Sequence, residues 1–351
     1  MGKAGKRETN SVVLKQAMIR RLPRRLQCSG ELGLPAVPAL LEHYVKIFDG
    51  IWEGVGRKFT PAELDEFRKS LSARLDQAFA ASSSSKVVVT YQTDPSPKTS
   101  LTWKIVAMTA DFTDEYKYWV DTRTPPLFGK DPDAKAVDVA RSLGSGADVT
   151  ILDVGAGTGR NTLPLAREGF AVDALEPANA LCTILRETVT TEQLPVGVVE
   201  GNILNADLEL PRPQYRMILL SEVVASHFRS VEQLQQLFEA AAKRLEPGGL
   251  FVFNAFLSDG GYKPDDLARQ LSQVLWCCLF TRHDLEVASK GLPFERVADE
   301  SAAEYERAHL PEGQYPSTGW YEGWSGGQDL FELPAERPPM ELRWLVYRKM
   351  S

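Results

Sequence analysis

Residues 151–161 read Ile151-Leu152-Asp153-Val154-Gly155-Ala156-Gly157-Thr158-Gly159-Arg160-Asn161, an apolar strand running straight into a glycine-rich turn. A helix pattern follows from Thr162 to Glu168, and after Gly169-Phe170 a second strand, Ala171-Val172-Asp173-Ala174-Leu175, ends at Glu176. Glycines let the backbone turn sharply and approach a ligand closely. The new helix presents unpaired N–H groups and the positive end of its dipole. An acid at the tip of the second strand is placed to accept both ribose hydroxyls of a nucleotide. The dinucleotide fingerprint wants a glycine or alanine three residues after Gly157, and that position is Arg160. The tighter Gly155-x-Gly157-x-Gly159 spacing after Asp153 instead suits a nucleoside without a pyrophosphate.

On both sides of this loop, from Asp131 onward, strands alternate with helices, which predicts a mostly parallel sheet with crossover helices. Strands are expected at 149–154, 171–175, 196–200, 215–220, 250–256, 294–299 and 341–348. A helix is expected over 231–245, ending at Glu246-Pro247-Gly248-Gly249. The final strand enters without a full crossover helix, so it should lie antiparallel to its neighbour. The fold class is therefore α/β: a Rossmann-like seven-stranded sheet with helices on both faces, an antiparallel last strand and a mainly helical N-terminal extension. In that extension a helix is expected over 35–55, and a second from Thr60-Pro61 to about Ala81, opened by a capping box with Glu63. A hairpin over 87–108 would turn at Asp94-Pro95-Ser96-Pro97. The divisions are a disordered basic tail over 1–30, an accessory region over 31–130 and a cofactor-binding domain over 131–351.

This second domain resembles the class I S-adenosylmethionine-dependent methyltransferases. Its glycine loop is similar to their first motif, and Glu176 to their ribose-binding acid. Gly201-Asn202-Ile203 falls where the family contacts adenine, usually with Asp, so Asn202 departs from the pattern. Ser221-Glu222 follows the fourth strand at the cofactor-facing motif, and Leu245-Glu246-Pro247-Gly248-Gly249-Leu250 matches the turn before the fifth. The resemblance implies S-adenosyl-L-methionine as cofactor, held by Asp153, Gly155, Ala156, Gly157, Gly159, Asn161, Glu176, Pro177, Asn202, Ile203 and Ser221. It implies methyl transfer to a small-molecule acceptor, with a protein methyltransferase or an inactive cofactor-binding partner subunit as alternatives.

Methyl transfer from a sulfonium needs in-line positioning more than a dedicated catalytic motif, and a base only when the acceptor carries a proton. His227, just past the fourth strand, and Glu222 are the candidate catalytic residues. Two aromatic groups are candidates for the acceptor pocket: Tyr116 and Trp119 with Arg123, and Trp320, Tyr321 and Trp324. No metal site is expected, because the four cysteines lack ligand spacing. Cys277 and Cys278 are expected reduced and buried on a helix, in a reducing, cytoplasmic compartment.

Charge is unevenly spread. Residues 1–25 hold eight bases against the single acid Glu8, while the remainder carries a net charge of −14. The tail reads as a solvated arm, with organelle targeting or a nucleic-acid contact as alternatives. An acidic body argues against a broad nucleic-acid surface. No run approaches the ~20 apolar residues of a membrane helix, so no membrane partner is expected. Oligomeric state is left open.

Overall fold

The structure, a computed structural model, describes residues 7–21, 27–56, 58–93 and 101–351. It divides into two compact units, Met1–Asp111 and Phe112–Ser351. The boundary falls earlier than the expected 130, because the helix at 112–122 packs its rings on the second unit.

The first unit contains α1 (Ser11–Ile19), β1 (Ser29–Pro35), α2 (Leu41–Gly54), α3 (Pro61–Ala81), β2 (Lys86–Thr93) and β3 (Leu101–Met108). Helix α3 begins as its sequence dictates, with Thr60 and Glu63 exchanging hydrogen bonds as a capping box and Pro61 in the first turn. Its apolar stripe of Phe67, Leu71, Leu75 and Ala78 packs on Phe48 and Trp52 of α2 and on Val87 and Val89 of β2. The strands form an antiparallel sheet in the order β1-β2-β3. The predicted turn at 94–97 lies outside the described residues, as do Lys3, Lys6, Arg24 and Arg25 of the basic tail.

Two expectations for the first thirty residues are corrected. Ser11–Ile19 is helical rather than disordered, with the Asn10 side chain accepting from the backbone N–H groups of Val12 and Val13. Ser29 opens a strand whose seven residues all pair with β2. Two glycines and a proline hide that strand from propensity reasoning. Gly30 lies opposite Tyr91, whose ring occupies the space a side chain at 30 would need.

The second unit runs α4 (Phe112–Thr122), α5 (Ala134–Ser142), β4 (Thr150–Val154), α6 (Thr162–Arg167), β5 (Ala171–Glu176), α7 (Asn179–Thr191), β6 (Gly197–Glu200), β7 (Tyr215–Leu220) and α8 (Val223–His227). It continues with α9 (Val231–Arg244), β8 (Leu245–Ser258), α10 (Asp266–Val274), β9 (Leu279–Phe280), α11 (Arg282–Ser289), β10 (Phe294–Ser301), α12 (Ala302–His309), α13 (Tyr321–Ser325) and β11 (Met340–Lys349). The sheet order is β10-β11-β8-β7-β4-β5-β6. β11 is antiparallel to both neighbours, while the β8-β7-β4-β5-β6 pairings are parallel. All seven expected strands are present, and the fold class is as read from the sequence.

Strand residues alternate between two cores. Ile151, Val172, Met217 and Val252 face the side covered by Ala136 and Ala140 of α5 and Leu165 of α6. Leu152, Leu175, Ile218 and Phe251 face the side covered by Leu237 and Phe238 of α9 and Leu285 of α11. An eighth strand, the two-residue β9, pairs parallel with the end of β8. Cys277 and Cys278 are not helical: Trp276 adopts φ +57 and breaks the chain out of α10, so both cysteines lie buried in the connection to β9.

Sequential crossovers lead from β4 to β5 and β6 on one side, and the chain then returns to place β7 on the other. This reversal opens a crevice at the C-terminal tips of β4 and β7, the usual ligand position in such sheets.

Candidate active site

Glu176 ends β5, directly beside the glycine loop that follows β4. Its carboxylate accepts from the backbone N–H groups of Gly157 (2.9 Å) and Ala178 (2.8 Å). The loop is tied to the same strand tip by Gly155 and Ala156, whose N–H groups both donate to the Leu175 carbonyl. Gly157 has φ +56, and a Cβ there would meet the Phe128 ring at 3.3 Å. A side chain at 157 would therefore be strained and crowded. Burial pushes the Glu176 carboxyl up to about 7, against the pull of its two backbone donors. Each carboxylate oxygen keeps acceptor capacity, which fits a vicinal diol. The donor set and glycine cradle thus suit the adenosyl group.

The other expected cofactor residues separate into two sets. Pro177, Asn202 and Ile203 lie at or just beyond the tips of β5 and β6; Asn202 is exposed and its Oδ1 accepts from Leu204 N. Asp153 and Asn161 instead turn their side chains into the protein. Asp153 takes the Thr162 hydroxyl at 2.5 Å, anchoring the start of α6, and burial raises its carboxyl to about 6. Asn161 donates from Nδ2 to Asp133 Oδ2 and accepts from Asp133 N. Their part is to shape the loop.

Asp133 also joins a buried ionic cluster. Arg160 reaches Asp133 at 2.5 Å and Glu222 at 2.7 Å, while Ser221 donates its hydroxyl to Asp133 at 2.6 Å. Burial works against the Arg160 charge, but Asp133 and Glu222 overcome it and hold the guanidinium above its ordinary pKa. Glu222 sits in left-handed backbone (φ 63), with its N–H donating to Asn254 Oδ1 at 2.6 Å. It is committed to Arg160 and orients the tips of β4 and β7. Of the two candidate catalytic groups, Glu222 is thus the one paired to an arginine. Asp133, Arg160 and Asn254 escaped the sequence reading, since a charge cluster drawn from separate loops has no local signature.

His227 ends α8, and its Nε2 lies 2.8 Å from the Tyr116 hydroxyl of α4. Burial lowers its pKa to about 4 and raises that of Tyr116. Neutral His227 can accept the Tyr116 hydroxyl's hydrogen bond in its Nδ1-protonated tautomer. Phe112 and Trp276 pack on the imidazole, and Phe128, which covers Gly157, stacks edge-on to Tyr116. Trp119 closes the group against Trp276, and Arg123 lies over its outer face at 3.7 Å. Trp276 and Phe128 carry no sequence signal as members of this cluster.

The second aromatic group behaves differently. Trp324 is buried against Phe256 and donates to the Trp276 carbonyl at 2.9 Å, so it packs the loop before β11 onto the sheet. Tyr321 is buried beside the Arg160 cluster with no partner for its hydroxyl among the described residues. Only Trp320 of the three is exposed, at 48%. Of the three rings, Trp324 is the one packed against the sheet.

The strand order and glycine loop coincide with a match of residues 151–249 to the family described as Methyltransferase domain. Residues 151–249, from β4 to the turn inside β8, thus carry the pattern of a methyltransferase domain. Among curated proteins, the chain is 32% identical over 116 residues to a demethylmenaquinone methyltransferase of Tropheryma whipplei, covering 33% of this chain and 45% of that protein. It is 31% identical over 104 residues to a ubiquinone biosynthesis O-methyltransferase of Paramagnetospirillum magneticum, covering 30% and 39%. The matched stretch spans less than half the length of either relative. Among solved structures, geranyl diphosphate C-methyltransferase of Streptomyces coelicolor covers 69% of this chain and 99% of its own at 14% identity and TM-score 0.48. Phosphoethanolamine N-methyltransferase 2 of Haemonchus contortus covers 72% and 64% at 15% identity and TM-score 0.47. These likenesses carry no weight for substrate.

Proposed function

We propose that the protein transfers a methyl group from S-adenosylmethionine to a small-molecule acceptor presented at the Tyr116–His227 pair. The observation that carries this is the buried Glu176 carboxylate locked to the Gly157 N–H, within the stretch that matches the methyltransferase family. The two curated relatives are named as a demethylmenaquinone methyltransferase and a ubiquinone biosynthesis O-methyltransferase, which supports a small acceptor without fixing which one.

S-adenosylmethionine supplies an already activated methyl group, so the protein's work is positioning and proton removal. Glu176 and the glycine loop fix the adenosyl end. Phe128, Trp119 and Trp276 form an apolar wall that excludes water. Tyr116 donates to His227, which leaves its phenol oxygen free to accept from an acceptor O–H or N–H. As the new bond to carbon forms and the bond to sulfur breaks, the acceptor proton passes to Tyr116 oxygen and the phenol proton passes to His227 Nε2. The positive charge then rests on the imidazolium.

The test is incubation with methyl-labelled S-adenosylmethionine and fractionated metabolites. Label is expected in a low-molecular-weight product, with Tyr116→Phe and His227→Gln lowering turnover about 10²–10⁴-fold while cofactor binding persists. Label appearing only in protein would replace the acceptor class. No transfer to any fraction, with cofactor bound, would make the chain a binding subunit.

A further inference from the structure

The N-terminal helix α1 (Ser11–Ile19) stands at the surface. None of its nine residues is buried. Val12, Val13, Leu14, Met18 and Ile19 are 62%, 41%, 40%, 65% and 56% exposed. Apolar side chains standing in water at this density are costly unless another surface covers them.

The segment around α1 is also the basic pole of the chain. Arg7, Lys15, Arg20 and Arg21 lie on or beside the helix, and the first 25 residues hold eight bases against one acid. The rest of the chain carries −14. Arg20 and Arg21 follow the helix C-terminus, where its dipole favours cations.

We propose that α1 and its flanking bases dock on an anionic lipid surface. Such a surface meets both features at once: negative headgroups take the arginines and lysines, and the acyl layer beneath takes valine, leucine, methionine and isoleucine. Nucleic acid satisfies the charges but offers nothing to five exposed aliphatic side chains. The sequence expectation of no membrane partner rested on the absence of a spanning run, and none is present among the described residues. Docking at the headgroup layer needs no such run.

The test is cosedimentation of the full chain with vesicles of phosphatidylcholine alone or containing phosphatidylserine. Binding is expected only to the anionic vesicles and should weaken at high salt. Met18→Ser/Ile19→Ser and Arg20→Ala/Arg21→Ala should each lower the bound fraction by about tenfold, with cofactor binding and melting temperature unchanged. Wild type remaining in the supernatant overturns the proposal, as does anionic binding insensitive to the Met18/Ile19 variant. Retention by RNA without vesicle binding assigns the segment to nucleic acid. Self-association abolished by the Met18/Ile19 variant, without vesicle binding, assigns it to contact between copies. Intact mass showing residues 1–25 absent from protein isolated from its native cell makes the segment a removed targeting sequence.

Discussion

Protonation of Glu176 should control cofactor affinity. With its carboxyl raised to about 7 by burial, the empty site is largely neutral at pH 6. A carboxylate that accepts two ribose hydroxyls while keeping the Gly157 and Ala178 donors must be ionised, because a protonated carboxyl gives up acceptor capacity. Binding is therefore coupled to proton release below pH 7 and independent of pH above about 8. At pH 6 about one site in ten is ionised, so affinity for S-adenosylhomocysteine should fall about tenfold from its plateau, or about 1.4 kcal/mol. Asp153 titrates nearby, at about 6, but its partner Thr162 is the same with and without ligand, so its contribution should cancel.

The isosteric Glu176→Gln variant should bind about ten- to a hundredfold more weakly at pH 8, from the loss of charge-assisted hydrogen bonds. Its affinity should be flat with pH. A raised folded-state acid stabilises below its unfolded pKa near 4.5 and loses that contribution as pH rises through 7, so the glutamine variant should melt higher than wild type at pH 8. Calorimetry in buffers of different ionisation enthalpy reads both affinity and protons released. Wild-type affinity that is level from pH 6 to 8, or a pH dependence retained by Glu176→Gln, would show that Glu176 does not titrate with cofactor binding.

Three further outcomes are expected. Gly157→Val should remove cofactor binding in calorimetry while the far-UV spectrum stays native, because φ +56 and the Phe128 ring leave no room for a branched side chain; normal binding would make the loop purely structural. Arg160→Met strands Asp133 and Glu222 without their buried partner and should cost about 3–5 kcal/mol in urea unfolding, whereas a loss below about 1 kcal/mol would mean that water enters the cluster. His227, lowered to about 4 by burial, stays neutral in the fold while the unfolded chain protonates near 6.5. Its contribution is present above 6.5 and lost as pH falls toward 4. Relative to His227→Gln, wild type should therefore lose about 2 kcal/mol between pH 7.5 and 5, and parallel stability curves would contradict this.

The parallel sheet was legible because each strand is a short apolar run bounded by turn residues, and the glycine loop fixed where the first ends. β1 was not legible: Ser29-Gly30-Glu31-Leu32-Gly33-Leu34-Pro35 has weak strand propensity and is held by its pairing with β2 and the Tyr91 ring. The bend at Trp276 was equally hidden, since a positive φ at tryptophan is imposed by its ring and carbonyl partners, not by local sequence. In the site, Glu176 and the glycines could be found because strand and loop are contiguous. Tyr116 and His227 are 111 residues apart, so their pairing exists only once α4 has packed against the end of α8. Asn161 and Glu222 sit at motif positions that the sequence could locate, but the direction of each side chain was decided by Asp133 and Arg160.

If the tips of β4, β5 and β7 form the S-adenosylmethionine site, they face Tyr116 and His227. A crystal structure of the full chain with S-adenosylhomocysteine tests it most directly. Both ribose hydroxyls should lie within hydrogen-bond distance of the Glu176 carboxylate, with the sulfur turned toward the Tyr116 hydroxyl. Ligand bound elsewhere, or ribose held by other side chains with Glu176 still closed on Gly157 and Ala178 alone, would contradict it.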